Sequence, residues 1–299
     1  MASTTLKATK LSDLQIPLED VVKATNNFHD DNIIGRGGLG LAYKGQLQRS
    51  GNFIKISALR LDRKQGEGEV EFWTEISVLS DLNHTNLVSI IGFCDEKDEK
   101  VIVTTYAAKG SLKEHLRNPN LTWTQRLQIC LRGGSNINSS TILLDKNWEA
   151  KLSGFKISIK QLLNRMDRVI LSEPIGLKGY MEPEFQKIKG VTHKSDIYSF
   201  GVVLFEILCG RRAYIENGAN RFLSTLVKYH SGKKTLEEII YPDIRNQMST
   251  GSLRIYVELA YSCINDDRAN RPNMDKILEE LEKALKLQLR RENIVRLFS

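Results

Sequence analysis

Toward the amino end of the sequence, Gly35-Arg36-Gly37-Gly38-Leu39-Gly40 fits the spacing G-x-G-x-x-G. A glycine cluster marks an ordinary turn as readily as it marks a phosphate cradle. Its flanks narrow the choice. Ile33-Ile34 precede it and Leu41-Ala42-Tyr43 follow it, a strand-like pattern on both sides. A dinucleotide fold requires a helix after the glycines, because the helix amino end carries the pyrophosphate. A strand in that place makes a hairpin loop instead, of the kind that lies over nucleotide phosphates. The glycine cluster is therefore expected to join two paired strands.

The strand pattern continues from Ile33 to Tyr106, with Val101-Ile102-Val103 as a short buried strand and one helix inserted. That helix is predicted over Gly68 to Leu79, where Val70, Phe72 or Trp73, Ile76 and Leu79 recur at three-to-four spacing. Ahead of the strands, Ile16-Pro17-Leu18-Glu19-Asp20 predicts a short helix with acids at its positive end. After Gly110 the pattern turns helical. Ser111 is placed to cap one helix, Trp123 to Leu131 forms another, and Ser195 to Cys209 is apolar enough to be buried on all sides. Asn273 caps a last helix to Arg290, whose stripe runs Met274, Ile277, Leu278, Leu281, Leu285. The expected organisation is a flexible segment 1–15, a small β-rich lobe 16–107, a larger helical lobe 108–290 and a tail 291–299, with a hinge near Thr105 to Lys109.

Composition excludes several classes. Hydrophobic residues are 41% and charged residues 26%, unlike a disordered or membrane-embedded chain. The longest apolar stretch, Phe200 to Leu208, is interrupted by Glu206 and too short to span a bilayer. Met1 to Leu14 lacks the apolar core of a signal peptide, and Ala2 excludes N-myristoylation. Cys94, Cys130, Cys209 and Cys263 have no metal-ligand spacing and read as reduced, buried thiols. A net charge of +7 without a basic block argues against nucleic acid as a partner. His29, His84, His115, His193 and His230 form no ligand or triad grouping.

With these motifs in order, the chain resembles the kinase domain of plant receptor-like protein kinases, a two-lobed α+β fold. The resemblance runs from Ile16 to Leu285. Beyond the glycine loop it is carried by Ala24-Thr25-Asn26-Asn27-Phe28 in the lead-in, Glu71 to Ile76 in the inserted helix, and His84-Thr85-Asn86-Leu87-Val88 with Ile91-Gly92-Phe93-Cys94. Further on it is carried by Gly110-Ser111-Leu112, Ile142-Leu143-Leu144-Asp145, Gly179-Tyr180-Met181-Glu182-Pro183-Glu184, Lys194 to Gly201, and Arg271-Pro272. The resemblance implies nucleotide binding at Gly35, Gly37, Gly40 and the hinge residues Tyr106 and Ala107. It also implies a buried ion pair between Glu184 and Arg271, and an anchoring role for Asp196 under the catalytic loop.

The residues that carry the family's chemistry are replaced. Phosphoryl transfer rests on positioning and on neutralising phosphate charge. The phosphate-binding lysine falls on Leu59, although its helix partner Glu75 is retained. The metal-binding aspartate falls on Gly154, in Gly154-Phe155-Lys156. The general base falls on Asn136, which cannot take a proton at neutral pH, the second metal ligand on Thr141, and a bracing threonine on Leu177. Lys55 has the strand parity of Leu59 but reads as a solvated lysine. ATP is therefore expected to bind weakly at most, and Mg²⁺ is not expected to be held.

Only Leu131-Arg132-Gly133-Gly134 stands where the family has a whole amphipathic helix, αE. A helix of roughly 15 residues buries about five apolar side chains, roughly 7–15 kcal/mol of gross burial. A whole domain is stable by only ~5–15 kcal/mol. The deletion is thus expected to bare apolar faces of the Trp123 and Ser195 helices. The reading that follows is a pseudokinase acting by protein contacts, with receptor-like kinases among its partners. It would be cytoplasmic, at the inner face of the plasma membrane. The alternatives are an ATP-dependent serine/threonine kinase whose sequence lacks a segment, and a decayed gene product.

Overall fold

The structure is a computed structural model that describes residues 11–37, 39–62, 68–132, 138–156, 158, 169–171, 178–218 and 220–298. The chain forms two compact units, Met1–Gly110 with Lys151–Ile159, and Ser111–Ala150 with Lys160–Ser299. The sequence reading differs in placing 151–159 with the helical lobe. The backbone explains the difference. Val88 N–H donates to the Leu152 carbonyl at 2.9 Å, and Leu152 N–H donates to the Asn86 carbonyl at 2.7 Å.

The first unit opens with helix α1 (Leu18–Ala24), with Pro17 as its N-cap and Glu19 and Asp20 in the first turn. Asn26, Asn27 and Phe28 all take left-handed backbone angles and stop the helix. This run turns the Phe28 ring onto Tyr43, with centroids 5.3 Å apart. Five antiparallel strands follow: β1 (Ile33–Gly37), β2 (Gly40–Arg49), β3 (Asn52–Leu61), β4 (Ile90–Glu96) and β5 (Glu99–Thr105), in the order β1-β2-β3-β5-β4. Alternation along the strands splits the core in two. Tyr43, Leu47, Ile56, Ala58, Val101 and Val103 pack on α1 through Val21. Leu59, Leu61, Phe93 and Ile102 cluster with Phe72 and Ile76 of helix α2 (Gly68–Asp81). Phe72 is the core residue of the pair left open by spacing, and Val70 is exposed rather than buried. Residues 11–15, expected to be loose, are also fixed. Gln15 forms a parallel bridge with Phe93, and the Phe93 N–H donates to Leu14.

The second unit contains α3 (Leu112–His115), α4 (Trp123–Arg132), β6 (Ile142–Leu144), β8 (Ile170–Leu171), α5 (Phe185–Ile188), β9 (Gly190–Val191), α6 (His193–Cys209), α7 (Leu223–Gly232), α8 (Pro242–Arg245), α9 (Thr250–Cys263) and α10 (Met274–Phe298). Strand β7 (Ala150–Leu152) lies where the chain passes back into the first unit. Ser111 stands at the N-cap of α3, but its hydroxyl donates to Glu114 at 3.1 Å and caps no amide. Helix α6 begins earlier than expected, because Thr192 and Ser195 form a reciprocal capping box. Asn273 caps the Lys276 N–H at 2.9 Å as predicted, and α10 then runs past Arg290 through the segment read as a tail.

Apolar surface is not left bare on α4 and α6. Trp123, Leu127, Ile129 and Cys130 are buried, as is α6 from Phe200 to Cys209. Helix α10 packs along α4, and α9 reaches it through side chains: the Trp123 indole donates to Ser252 at 3.1 Å, and Cys130 lies 3.5 Å from the Tyr256 hydroxyl. Arg126, wholly buried, donates to the carbonyls of Leu116, Asn118, Leu121 and Ile207. Burial pushes its guanidinium down to about 10. Segmental hydrogen exchange is expected to find strong protection across 123–132 and 197–209 in the isolated chain. Rapid exchange there would contradict this packing. The short connection read as standing in place of αE runs into residues 133–137, which lie outside the described residues.

Candidate functional site

In the first unit, the hairpin of β1 and β2 pairs Gly37 with Gly40. The glycine loop is thus flanked by strands on both sides, as its sequence neighbours require. Gly38 lies outside the described residues. Tyr106, half-buried, and Ala107, buried, follow the end of β5.

Leu59 sits on β3 opposite Ala42 and Ile102 and joins the apolar cluster beneath α2. Its side chain packs half-buried against the core and offers no charge to a phosphate. Glu75, 6% exposed, lies on the face of α2 that carries Phe72 and Ile76. A buried carboxylate needs donors or a cation. With Leu59 supplying neither, Glu75 turns to the backbone. The Gly154 N–H donates to its Oε1 at 3.1 Å, and the nearby backbone of Phe155 and Lys156 adds a pull toward its charged form. Burial nevertheless pushes the carboxyl up to about 7, these amides and the Lys156 charge only partly opposing it. The other oxygen, Oε2, is buried without a partner. Gly154 takes φ +78°, a left-handed conformation that glycine adopts without strain and aspartate does not adopt freely.

Thr141, in the second unit, is also engaged locally. Its hydroxyl donates to the Asn138 carbonyl at 3.0 Å and accepts from the Asn138 N–H at 3.3 Å. Asn136 and Leu177 lie outside the described residues. Of the positions that the resemblance gives to the metal, Gly154 has no carboxylate and the Thr141 hydroxyl closes a turn. Among the described residues, no cluster of histidine, cysteine or acidic side chains has the geometry of a metal site. All four cysteines are buried and unpaired.

The predicted ion pair is rearranged. Arg271 pairs with Glu182, not with Glu184. Arg268 joins it, its Nη2 2.6 Å from Glu182 Oε1, and the Ser195 hydroxyl donates to the same oxygen. Glu184 is left 3.3 Å from Arg268 Nε, with its Oε2 lacking a hydrogen bond. The reason is reach: Glu182 is 1% exposed at the side chain and faces the buried guanidinium, whereas Glu184 is 29% exposed. An acid two residues ahead of Glu184, with a second arginine three residues ahead of Arg271, was the sequence signal for this exchange. Asp196 makes no hydrogen bond to another described residue. Burial pushes it up to about 7, and the Glu182 charge adds to the shift.

Comparison with known sequences matches the pattern described as protein tyrosine and serine/threonine kinase over residues 28–135 and again over 135–281. The chain belongs to the protein tyrosine and serine/threonine kinase family. The two matched stretches of this kinase domain meet at Ser135. Among similar proteins of Arabidopsis thaliana, the receptor-like protein kinase HERK 1 is 37% identical over 96% of this chain and 36% of its own length. The receptor-like protein kinase ANXUR1 is 37% identical over 91% and 34%. The receptor-like protein kinase FERONIA is 35% identical over 90% and 32%. The chain thus spans about a third of the length of the curated relatives it matches. Among the described residues, no helix is long and apolar enough to cross a membrane.

Proposed function

We propose that this kinase domain acts by protein contact and not by phosphoryl transfer, alongside receptor-like kinases at the inner face of the plasma membrane. The observation that carries the reading is the state of Glu75. Its carboxylate accepts the Gly154 N–H, and Leu59 packs half-buried against the core at the position that the resemblance gives to the family's lysine. Phosphate, metal and base functions are all without their side chains, and these act as one electrostatic unit. The family relationship supports a signalling role. The names of the relatives support the placement beside receptors.

The test is Mg²⁺-dependent autophosphorylation with labelled ATP. Incorporation is expected to equal a blank reaction. ATP is expected to shift the melting temperature little and equally with or without Mg²⁺. Incorporation that disappears in Glu75→Ala would overturn the proposal, since it would show a working helix glutamate. A second reading, a serine/threonine kinase whose sequence lacks a segment, is favoured by the break in the family match at Ser135. Inserting a family helix after Cys130 separates the two. Labelled phosphate would then be expected only under the second reading.

A further inference from the structure

Strand β2 is paired along one edge only for most of its length. β3 pairs with it from Gly40 to Arg49, but β1 reaches only from Gly40 to Tyr43. Lys44 to Gln48 therefore present an edge without a strand partner. The end of α1 runs beside this edge. The Ala24 carbonyl approaches so closely that a Cβ on Gly45 would lie 2.6 Å from it, which is why only glycine fits there. A groove of about 620 Å³ lies along the edge. That is within the usual size of a ligand site, roughly 300–1,000 Å³.

The lining is basic. Lys23 from α1, Lys44 from β2 and Lys55 from β3 line the groove, and Asp20 is the one acid among its described lining residues. All three lysines are exposed, and none has an ion-pair partner among the described residues. Register places Gln46 opposite Lys55, so Lys44, Gln46 and Lys55 share one face of the sheet. Phe53, 68% exposed, adds an apolar wall.

Lysines on an open edge commonly guard it against pairing, because a neutral strand would desolvate them. A guard of that kind needs no groove and no exposed aromatic ring. It also admits one class of partner, a strand whose own side chains carry negative charge. Concave basic surfaces raise the local concentration of such anions. We propose that this edge takes an extended acidic segment of a partner protein, added to β2 by backbone hydrogen bonds, with alternate carboxylates against Lys44 and Lys55. Lys44 to Gln48 spans roughly 16 Å, enough for a segment of about five residues. The proposal is independent of whether the domain transfers phosphate.

The probe is a labelled six-residue peptide of alternating glutamate and valine, titrated against the full chain by fluorescence anisotropy at low salt. Binding is expected. It should weaken roughly three- to thirtyfold in the double variant Lys44→Gln, Lys55→Gln, and at higher salt. Both lysines are exposed, so the variant is expected to melt like the parent. A second peptide, N-methylated on alternate amides, keeps the charge but cannot complete the strand, and is expected not to bind. No binding of the first peptide would overturn the proposal. So would equal binding of an alternating lysine and valine peptide, of the N-methylated peptide, or by the double variant. Displacement of the peptide by inorganic phosphate at matched ionic strength would show a simple anion cavity and would also overturn it.

Discussion

Glu182→Ala is expected to lower the melting temperature of the chain by about 10 °C, while Glu184→Ala lowers it by no more than a few degrees. The difference follows from burial. Glu182 and Arg271 are 1% and 0% exposed at the side chain, and Arg268 closes the cluster from the other side at 11%. Arg271 also donates to the carbonyls of Lys194 and Asn265, which hold it in place whether or not its acid is present. Removing Glu182 therefore strands the Arg271 guanidinium inside the unit and leaves Arg268 with only Glu184. Breaking a buried pair from one side costs about 3–5 kcal/mol, and each kcal/mol moves a domain of this size by about 2–4 °C. Glu184 faces only one edge of Arg268 and is part-exposed, so its loss costs about 1 kcal/mol. Burial alone would push the Glu182 carboxyl up. Hydrogen bonds from Arg268, Ser195 and Arg271 outweigh it and hold the group below its ordinary value of 4.5. Its contribution is thus complete above pH 4.5 and is lost as pH falls through the lower folded value. Thermal melts of the two variants at neutral pH decide the matter. Equal losses, or a larger loss for Glu184→Ala, would restore the pairing that the motif order suggests.

That exchange marks where the sequence stopped being legible. The motifs Gly179 to Glu184 and Arg271-Pro272 correctly brought the activation segment to the arginine, because their spacing is a property of the chain. Which of two acids flanking Pro183 meets Arg271 depends on side-chain direction, which no spacing carries. The helices were legible for the same reason: the stripes of α2 and α10 are periodic, α6 is apolar almost throughout, and the cap at Asn273 is local. Their ends were less so. Helix α6 starts two residues before Ser195 because Thr192 and Ser195 cap each other, a reciprocal bond rather than a residue type. Bare surface was expected on α4 from the short connection after Arg132, and the expectation failed because it counted only the missing neighbour. Ser252 and Tyr256 come from more than a hundred residues away along the chain. The groove beside β2 was invisible for a like reason, since it exists only once α1 and β3 lie on either side of Gly45.

Replacing Glu75 with its neutral isostere is expected to stabilise the chain, and only on the alkaline side. The Glu75 carboxyl titrates near 7 in the folded chain and near 4.5 in the unfolded one. Between these values the folded state binds more protons, so stability falls as pH rises from 4.5 to 7. Above pH 7 the folded chain carries the full cost of a buried charge that amides only partly compensate. At 1.36 kcal/mol per pKa unit, that cost is up to about 3 kcal/mol. The side-chain amide introduced by Glu75→Gln copies the neutral form and keeps an oxygen for the Gly154 N–H. The variant should match the parent at pH 4 and exceed it at pH 8. Asp196 and Glu206 are also pushed up to about 7 by burial, so the parent and the variant share their slope and the difference isolates Glu75. A helix glutamate paired with a lysine would behave in the opposite way. Its carboxyl would sit below the ordinary value, and the same substitution would destabilise the chain at pH 8. Leu59→Lys offers that cation at the position that the resemblance gives to the family's lysine. In the Leu59→Lys background, Glu75→Gln is therefore expected to change sign at pH 8, from stabilising to destabilising. Denaturant unfolding of the four chains at pH 4 and pH 8 measures this coupling directly. Destabilisation by Glu75→Gln in the parent would show that a cation already holds Glu75, and the amide-capped carboxylate on which the proposed function rests would be wrong.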